Sequence, residues 1–347
     1  MEKYDYIVVG QGIAGTVVAH TLIQQYAKKV LVIGSTQKKC SSLVAGGIFN
    51  PLTGKKLVKT WKAHELFPKM LQFYANLEET LQEKFLHITP IYRPFRSIQE
   101  QNDWLAKSSL ADFKPYLAET TNDQHYQADI YNDLGGLETI QAGWIDLPKL
   151  LEVYRCFIRE KGFYLEEDFD YDALQIAEKV TYRQQEADKI IFCEGMGVVE
   201  NPYFQGLPLS PVKGETLDIY VPEAHFSGIV NQGVSIVPLG NHLYRVASTY
   251  SWSPLDWENT ETARQELAEK ARNLLKKDFE IVGQKAGVRP ATKHRRPIVG
   301  RHPNYSCMAI FNGLGSKGVS LAPYWANHLI EHLEYGAPLD KELIQPS

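Results

Sequence analysis

Two glycine clusters stand near opposite ends of this chain, Gly10-Gln11-Gly12-Ile13-Ala14-Gly15 and Gly313-Leu314-Gly315-Ser316-Lys317-Gly318. Glycine at this density lets main-chain N–H groups close on a phosphate, because no Cβ holds the ligand away. The first cluster has the spacing of a dinucleotide-binding turn. Gly10 permits the tight turn, Gly12 lets backbone approach a pyrophosphate, and Gly15 allows close packing of helix on strand. Ile13 and Ala14 open a helix whose N-terminus then faces the phosphates. With the second cluster completing the same sheet, the pair points to one large ligand, a flavin dinucleotide, and to redox chemistry.

The elements around these residues suit that task. Tyr4 to Val9 is a short apolar run of the kind that forms a buried strand. Ile13, Val17, Val18 and Leu22 make an apolar stripe on a helix over 13–27, and Val30 to Ile33 is a second strand. A carboxylate commonly ends that second strand and holds a ribose. Here Gly34 and Ser35 occupy the place, so Ser35 or Thr36 is left to make a weaker hydroxyl contact. Lys38 and Lys39 suit either a solvated loop or a 2′-phosphate, which would mean NADP. Further along, the periodicity predicts helices over 64–86, 147–161 and 260–277. It predicts strands at 180–182, 189–193, 308–312 and, in alternating fashion, across 213–250.

Composition bounds the rest. The chain has 347 residues, 44% apolar, with a net charge of −4. That suffices for a sizeable core and does not suggest general nucleic-acid binding. Cys40, Cys156, Cys193 and Cys307 lack metal or CxxC spacing and read as reduced thiols, so no metal site is expected. No apolar run is long enough for a membrane span, and the first strand begins too close to Met1 for a signal peptide. A cytoplasmic location is the expectation.

Taken together, several motifs are similar to those of the D-amino-acid-oxidase-like family of FAD-dependent oxidoreductases, which includes glycine and sarcosine oxidases. They are the first glycine cluster, Ser41-Ser42-Leu43-Val44-Ala45-Gly46-Gly47, Cys193-Glu194-Gly195-Met196-Gly197, Pro211-Val212-Lys213-Gly214-Glu215, Gly287-Val288-Arg289-Pro290-Ala291-Thr292 and the stretch from Gly313 to Pro323. The last also resembles the oxidase half of the bacterial enzyme that modifies the wobble uridine of tRNA. The resemblance implies an α/β fold: a Rossmann-like FAD-binding domain of glutathione-reductase type with an interleaved antiparallel-sheet substrate domain. Residues 1–86, 141–212 and 284–347 would form the first and residues 87–140 and 213–283 the second. It also implies placements. Gly10, Gly12 and Gly15 would hold the FAD pyrophosphate, with Ile13, Ala14 and Ser35 beside it. Ser41, Ser42, Ala45, Gly46 and Gly47 would run beside the flavin ring, Val180 would pair with adenine through its backbone, and Gly195 and Gly197 would pass near the pyrophosphate. Gly313, Gly315, Ser316, Lys317, Gly318 and Val319 would follow the flavin.

On the substrate side the resemblance makes Arg289 the carboxylate-binding residue, since a planar fork matches a carboxylate in two bonds. Tyr244, Tyr250, Trp252, Trp61 and His64 are further candidates. Ser235 stands where glycine oxidases carry a Tyr, which leaves the amino-acid clamp incomplete. The implied reaction is oxidation of a C–N bond in an amino acid or secondary amine by hydride transfer to flavin N5, with oxygen or another acceptor taking the electrons. Lys317 is a candidate for assisting oxygen. The alternatives are a tRNA-modifying oxidase acting on a carboxymethylaminomethyl-type group, suggested by the basic run Lys285 to Arg301, and a flavin-binding protein without turnover. Oligomeric state is not legible.

Overall fold

The computed structural model describes residues 2–346. β1 (Glu2–Val9), α1 (Ile13–Gln25) and β2 (Val30–Gly34) form in the order the periodicity predicts. Ile7 to Val9 and Val30 to Ile33 are buried throughout, which is why these strands read as continuous apolar runs rather than alternating ones. β1 lies between β2 and the strand Gln185–Phe192, parallel to both. The first residues of Gln185–Phe192 pair with Val180–Tyr182, and its last three pair in parallel with Met308–Asn312. The beginning and end of the chain therefore meet on one strand in its middle.

Four helices cover one face of this sheet: α1, α2 (Ala63–Leu81), Leu147–Glu160 and the final helix Gly318–Tyr335. Glu334 in the last turn fixes the final helix to the sheet. It accepts from the Tyr6 hydroxyl (2.5 Å), faces Lys189 at 3.2 Å and pairs with Lys28. These donors hold its carboxyl down to about 2 against the desolvation that would raise it.

A second sheet of seven strands runs in the spatial order Glu280–Arg289, Val212–Tyr220, Leu243–Ala247, Ser235–Gly240, Ile229–Asn231, Ile91–Pro94, Gly136–Thr139. All neighbours are antiparallel except Ile229–Asn231 with Ile91–Pro94. The helix Glu261–Arg272 packs Leu267 and Ala268 on one face, against Leu217, Ile219, Ile236, Tyr244 and Val246. The other face meets the Ser41–Gly47 loop, where a Cβ on Gly46 would stand 3.3 Å from the Ala247 Cβ.

Two boundaries differ from the sequence expectation. A division at 284 would cut Glu280–Arg289, which pairs with Val212–Tyr220 along its whole length, so the second sheet extends to Arg289. The helix expected over 260–277 stops at Arg272, because Leu274 and Lys276 turn to bond main-chain groups of Tyr131 and Asp129. Residues 87–140 supply the last two strands at one side of the second sheet, Ile91–Pro94 and Gly136–Thr139, and a helix, Ile98–Ser108, that docks on the hairpin Leu52–Lys59. Trp104 Nε1 donates to the Lys55 carbonyl (3.2 Å), while Arg93 lies over the Trp104 ring at 4.5 Å and donates to the Gly54 carbonyl (2.9 Å).

Candidate active site

The first glycine cluster forms a turn that side chains would break. Gly10 has φ +96°, and a Cβ there would lie 2.6 Å from the Cys193 carbonyl oxygen. On Gly15 a Cβ would lie 1.8 Å from the Gly10 oxygen, so Gly15 lets α1 close on its own turn. Gly12 differs: a Cβ would meet only Cys40 Sγ and Ser42 Oγ, at an ordinary 3.4 Å, so protein packing does not demand glycine there. α1 starts with no side-chain cap and no acid in its first turn. Ile13 N donates to Ser42 Oγ (3.1 Å) and the Ser41 hydroxyl donates to the Val288 carbonyl. The Ser41–Gly47 loop is thus strung between α1 and the strand that ends at Arg289. Ala45 is exposed, while Gly47 has φ +66° and would place a Cβ 2.0 Å from the Ile145 oxygen.

The C-terminal cluster approaches the same point. Gly313 and Gly315 have φ of +72° and +56°, Gly315 N donates to the Pro290 carbonyl (3.2 Å), and Ser316 is exposed. The final helix begins at Gly318, again without a side-chain cap or first-turn acid, and Val319 is buried. A Cβ on Gly318 would stand 3.1 Å from Ile13 Cγ2. Two helix N-termini therefore lie side by side, which suits a ligand that carries negative charge. Lys317 Nζ donates to Thr60 Oγ1 (3.0 Å); its burial, then Arg295 and Arg296, push its pKa down to about 8.

At the end of β2 no free carboxylate appears. The Gly34 carbonyl accepts from Glu167 N (3.1 Å) and the Tyr164 hydroxyl (2.9 Å), and Ser35 Oγ accepts from Gln37 N (3.2 Å). Glu166, in register with Gly34, is taken by Thr36 (2.6 Å) and Arg159. Lys38 and Lys39 are exposed, Lys39 lying 3.5 Å from Glu258. Val180 does not reach this end. It sits on an interior strand paired with Ile176 and Ala187, level with Tyr4, so roughly 17 Å of strand separates it from Val9. Glu166 and Glu167 are the residues that pass the end of β2, and only strand register reveals this. The Glu194–Gly197 turn is held by a network that residue types alone did not announce. Tyr171 OH and Asn201 Nδ2 (2.7 Å) donate to Glu194, whose pKa burial raises, and Asn312 Nδ2 donates to the Gly195 carbonyl (2.9 Å).

Arg289 lies where the loop and the second sheet meet. Its guanidinium donates to Ser248 Oγ (2.6 Å) and, at 3.4 Å, to the carbonyls of Lys213 and Thr249. Burial lowers its pKa, and no carboxylate contributes. The Tyr250 ring covers it at 4.6 Å, itself 57% exposed, with Trp252 exposed beyond. Gly214 makes room for it: a Cβ there would be 2.0 Å from Nη2. Two candidates fall elsewhere. Tyr244 points into the core under Glu261–Arg272, its hydroxyl on the Ala224 and Phe226 carbonyls, because it alternates with Arg245 and Ala247 on the strand. His64 is exposed on α2, 3.6 Å from Glu65. Trp61 stacks on Trp325 at 5.1 Å and carries Arg296 at 4.0 Å on its ring, next to Thr60. Among the described residues no cluster could hold a metal ion.

Comparison with known proteins agrees with this geometry. The chain is 24% identical over 343 residues to glycine oxidase of Pseudomonas aeruginosa, covering 91% of each chain. In fold it is similar to glycine oxidase of Geobacillus kaustophilus, with a TM-score of 0.78 at 18% identity over 98% of this chain and 96% of that one. Iminodiacetate oxidase of Chelativorans also superposes with a TM-score of 0.78, at 18% identity over 99% of this chain and 100% of that one. The family model of the FAD-dependent oxidoreductases typified by D-amino-acid oxidase matches residues 5–332, and the chain belongs to that family of FAD-binding enzymes.

Proposed function

We propose that this protein oxidises the C–N bond of an amino acid or secondary amine, with Arg289 holding the substrate carboxylate. The observation that carries the reading is the state of Arg289: a partly buried cation whose partners are a hydroxyl and two carbonyls, with no acid. A desolvated charge without a counter-charge is costly, and a carboxylate ligand relieves it. FAD, when bound, supplies the hydride acceptor. The chain's own part is to position. The start of α1 would hold the pyrophosphate, the small residues of Ser41–Gly47 and the start of the final helix would line the flavin ring, and Arg289 would fix the substrate's acid end beside it. No residue here stands as a general base, so the amine itself must be neutral on arrival, and kcat/KM should rise with pH toward the amine's own pKa.

A small-molecule substrate fits better than tRNA, because two cations of the basic run, Arg296 and Arg301, are engaged by the fold. Arg296 pairs with Glu342 (2.9 Å), and Arg301 donates to the His332 and Leu333 carbonyls. No described helix is long and apolar enough to cross a membrane.

The test is Arg289→Lys in the FAD-loaded enzyme. An ammonium cannot reproduce the fork. Losing such a pair costs about 2–5 kcal/mol, or roughly 30-fold to several thousandfold in kcat/KM. Flavin content should be unchanged. A carboxylate inhibitor should perturb the flavin spectrum of the parent far below the concentration the variant needs; equal binding would make Arg289 structural.

A further inference from the structure

We propose that Asn231 and Ser235 form a subsite for a neutral side-chain amide, which makes the preferred substrate an amide-bearing amino acid of asparagine length. The inference rests on the amine-oxidising reading and narrows its substrate class. Strand parity puts both residues on the face of the second sheet that meets the Ser41–Gly47 loop. Val230 and Ile236 belong to the core under Glu261–Arg272, so Asn231 and Ser235 point the other way. Register then aligns them in one row. Asn231 pairs with Ser235, Ser235 with Ala247, and Ala247 with Thr216. Ala247 is the residue that meets Gly46 of the loop. On this same face Ile229 and Val237 are fully buried, while Asn231, Ser235 and Ala247 are half-buried although their strands are interior ones. The packing of loop on sheet therefore opens over this row.

Asn231 Nδ2 donates to Ser235 Oγ (2.8 Å). That leaves the Asn231 carbonyl oxygen, its second N–H and the Ser235 hydroxyl hydrogen for a ligand. An amide offers an acceptor and two donors and can answer all three. An apolar group answers none, and covering the pair with one leaves its polar atoms desolvated. The arginines that share this face do not ask for a charge on the ligand. Arg245 is held by both oxygens of Asp218 (2.7 and 3.0 Å), and Arg93 donates to the Gly54 carbonyl (2.9 Å) with its guanidinium on the Trp104 ring.

One ligand can reach this pair and Arg289 together. Glu215 turns toward Thr260 at the start of Glu261–Arg272, so its neighbour Gly214 faces the loop, and the guanidinium rests where a Gly214 Cβ would stand. Thr216 follows Gly214 on that face, and Ser235 lies two strands across from Thr216. At about 3.4 Å per residue and about 4.8 Å between strands, the guanidinium and Ser235 are roughly 12 Å apart. A carboxylate on the first and a hydrogen bond to the second take up about 7 Å. The roughly 5 Å that remain match the span from the carboxyl carbon of asparagine to its amide oxygen.

Succinamate and isocaproate test this in the FAD-loaded protein. Each carries one carboxylate and no amine to oxidise, and they differ only in an amide or an isopropyl end. Binding is read by calorimetry and by the flavin absorbance change. The parent should bind succinamate about tenfold more tightly. Ser235→Ala and Asn231→Leu should each cut that preference roughly three- to tenfold at unchanged flavin content. Should Asn231→Leu fail to fold, Ser235→Ala, which removes a single half-buried hydroxyl, carries the decision. Anaerobic flavin reduction by asparagine and by leucine, each in both enantiomers, should give the same ranking. Equal binding of the two ligands by the parent overturns the inference, as does a preference that survives both substitutions. If the two ligands bind equally while leucine, glycine or sarcosine reduces the flavin, only the amide subsite falls. If neither ligand binds and no amine reduces the flavin, the amine-oxidising reading falls with it.

Discussion

Arg289 reaches its position only because Gly214 stands across from it with no side chain. A methyl group there would sit 2.0 Å from the end of the guanidinium, which is flexible and would swing aside. Gly214→Ala should therefore fold normally and hold FAD normally, yet raise KM for carboxylate substrates tenfold or more. Steady-state kinetics beside a flavin spectrum would show it. The first glycine cluster allows a finer distinction. Gly15→Ala forces a Cβ to within 1.8 Å of a main-chain oxygen, so the turn must open, at a cost of about 1–3 kcal/mol, and flavin should be lost with it. Gly12→Ala meets no protein atom closer than 3.4 Å. Its apoprotein should melt like the parent while its FAD affinity falls; a destabilised apoprotein would mean that packing, not the ligand, selects glycine. Gly10 and Gly15 are legible in the sequence because their need is local. Tyr244 and Val180 are not, because which face or end a strand residue occupies depends on partners far along the chain.

α1 shows what an element loses when read alone. Its apolar stripe is clear in the sequence, but Thr16 to Leu22 is buried all round, since the final helix and the helix Leu147–Glu160 flank it. His20 is caught in that burial at 4% exposure, edge-on to the rings of Phe73 and Tyr154. Desolvation pushes its pKa down to about 4 from 6.5. The unfolded chain thus binds a proton as pH falls below 6.5, while the folded chain refuses it until pH 4. Stability should fall across that window by about 2–3 kcal/mol and be fully retained at neutral pH. Urea unfolding at pH 7 and pH 4.5 should show the loss in the parent and not in His20→Leu. An equal loss in both would place the acid sensitivity elsewhere. The long helices and the strands flanking the glycine turns are readable because their periodicity is strong. The end of Glu261–Arg272 is not, since long-range bonds of Leu274 and Lys276 override a helical pattern.

At the scale of the molecule, two sheets meet around the Ser41–Gly47 loop and neither is built from a continuous stretch of chain. That loop touches α1 through Ser42, the second sheet through Ser41 and Gly46, and the strand at Ile145 through Gly47. Net charge is −4, yet Arg295 and Arg296 lie close enough to Lys317 to act on its charge. That concentration was half visible in the basic run of the sequence. What the sequence could not show is that Arg301 and Arg296 are spent on the fold while Arg289 is not.

The strand Gln185–Phe192, with β1 on one side and Met308–Asn312 on the other, also governs how the protein is made. A ribosome delivers β1 first. At about 5–20 residues per second, its first sheet partner on that side emerges roughly 10–40 seconds later, and the other flank of that partner later still. Until then Ile7, Val8 and Val9 have no buried surface to join on that side, and the nascent chain is a client for hydrophobic-binding chaperones. The helix start at Gly318 arrives after every strand of both sheets, so a cofactor that needs it cannot template the early stages of folding. A chain stopped after residue 305 should accumulate in aggregates and take up no FAD, however much cofactor is supplied. If such a fragment were soluble and yellow, the C-terminal turn would not be part of the cradle.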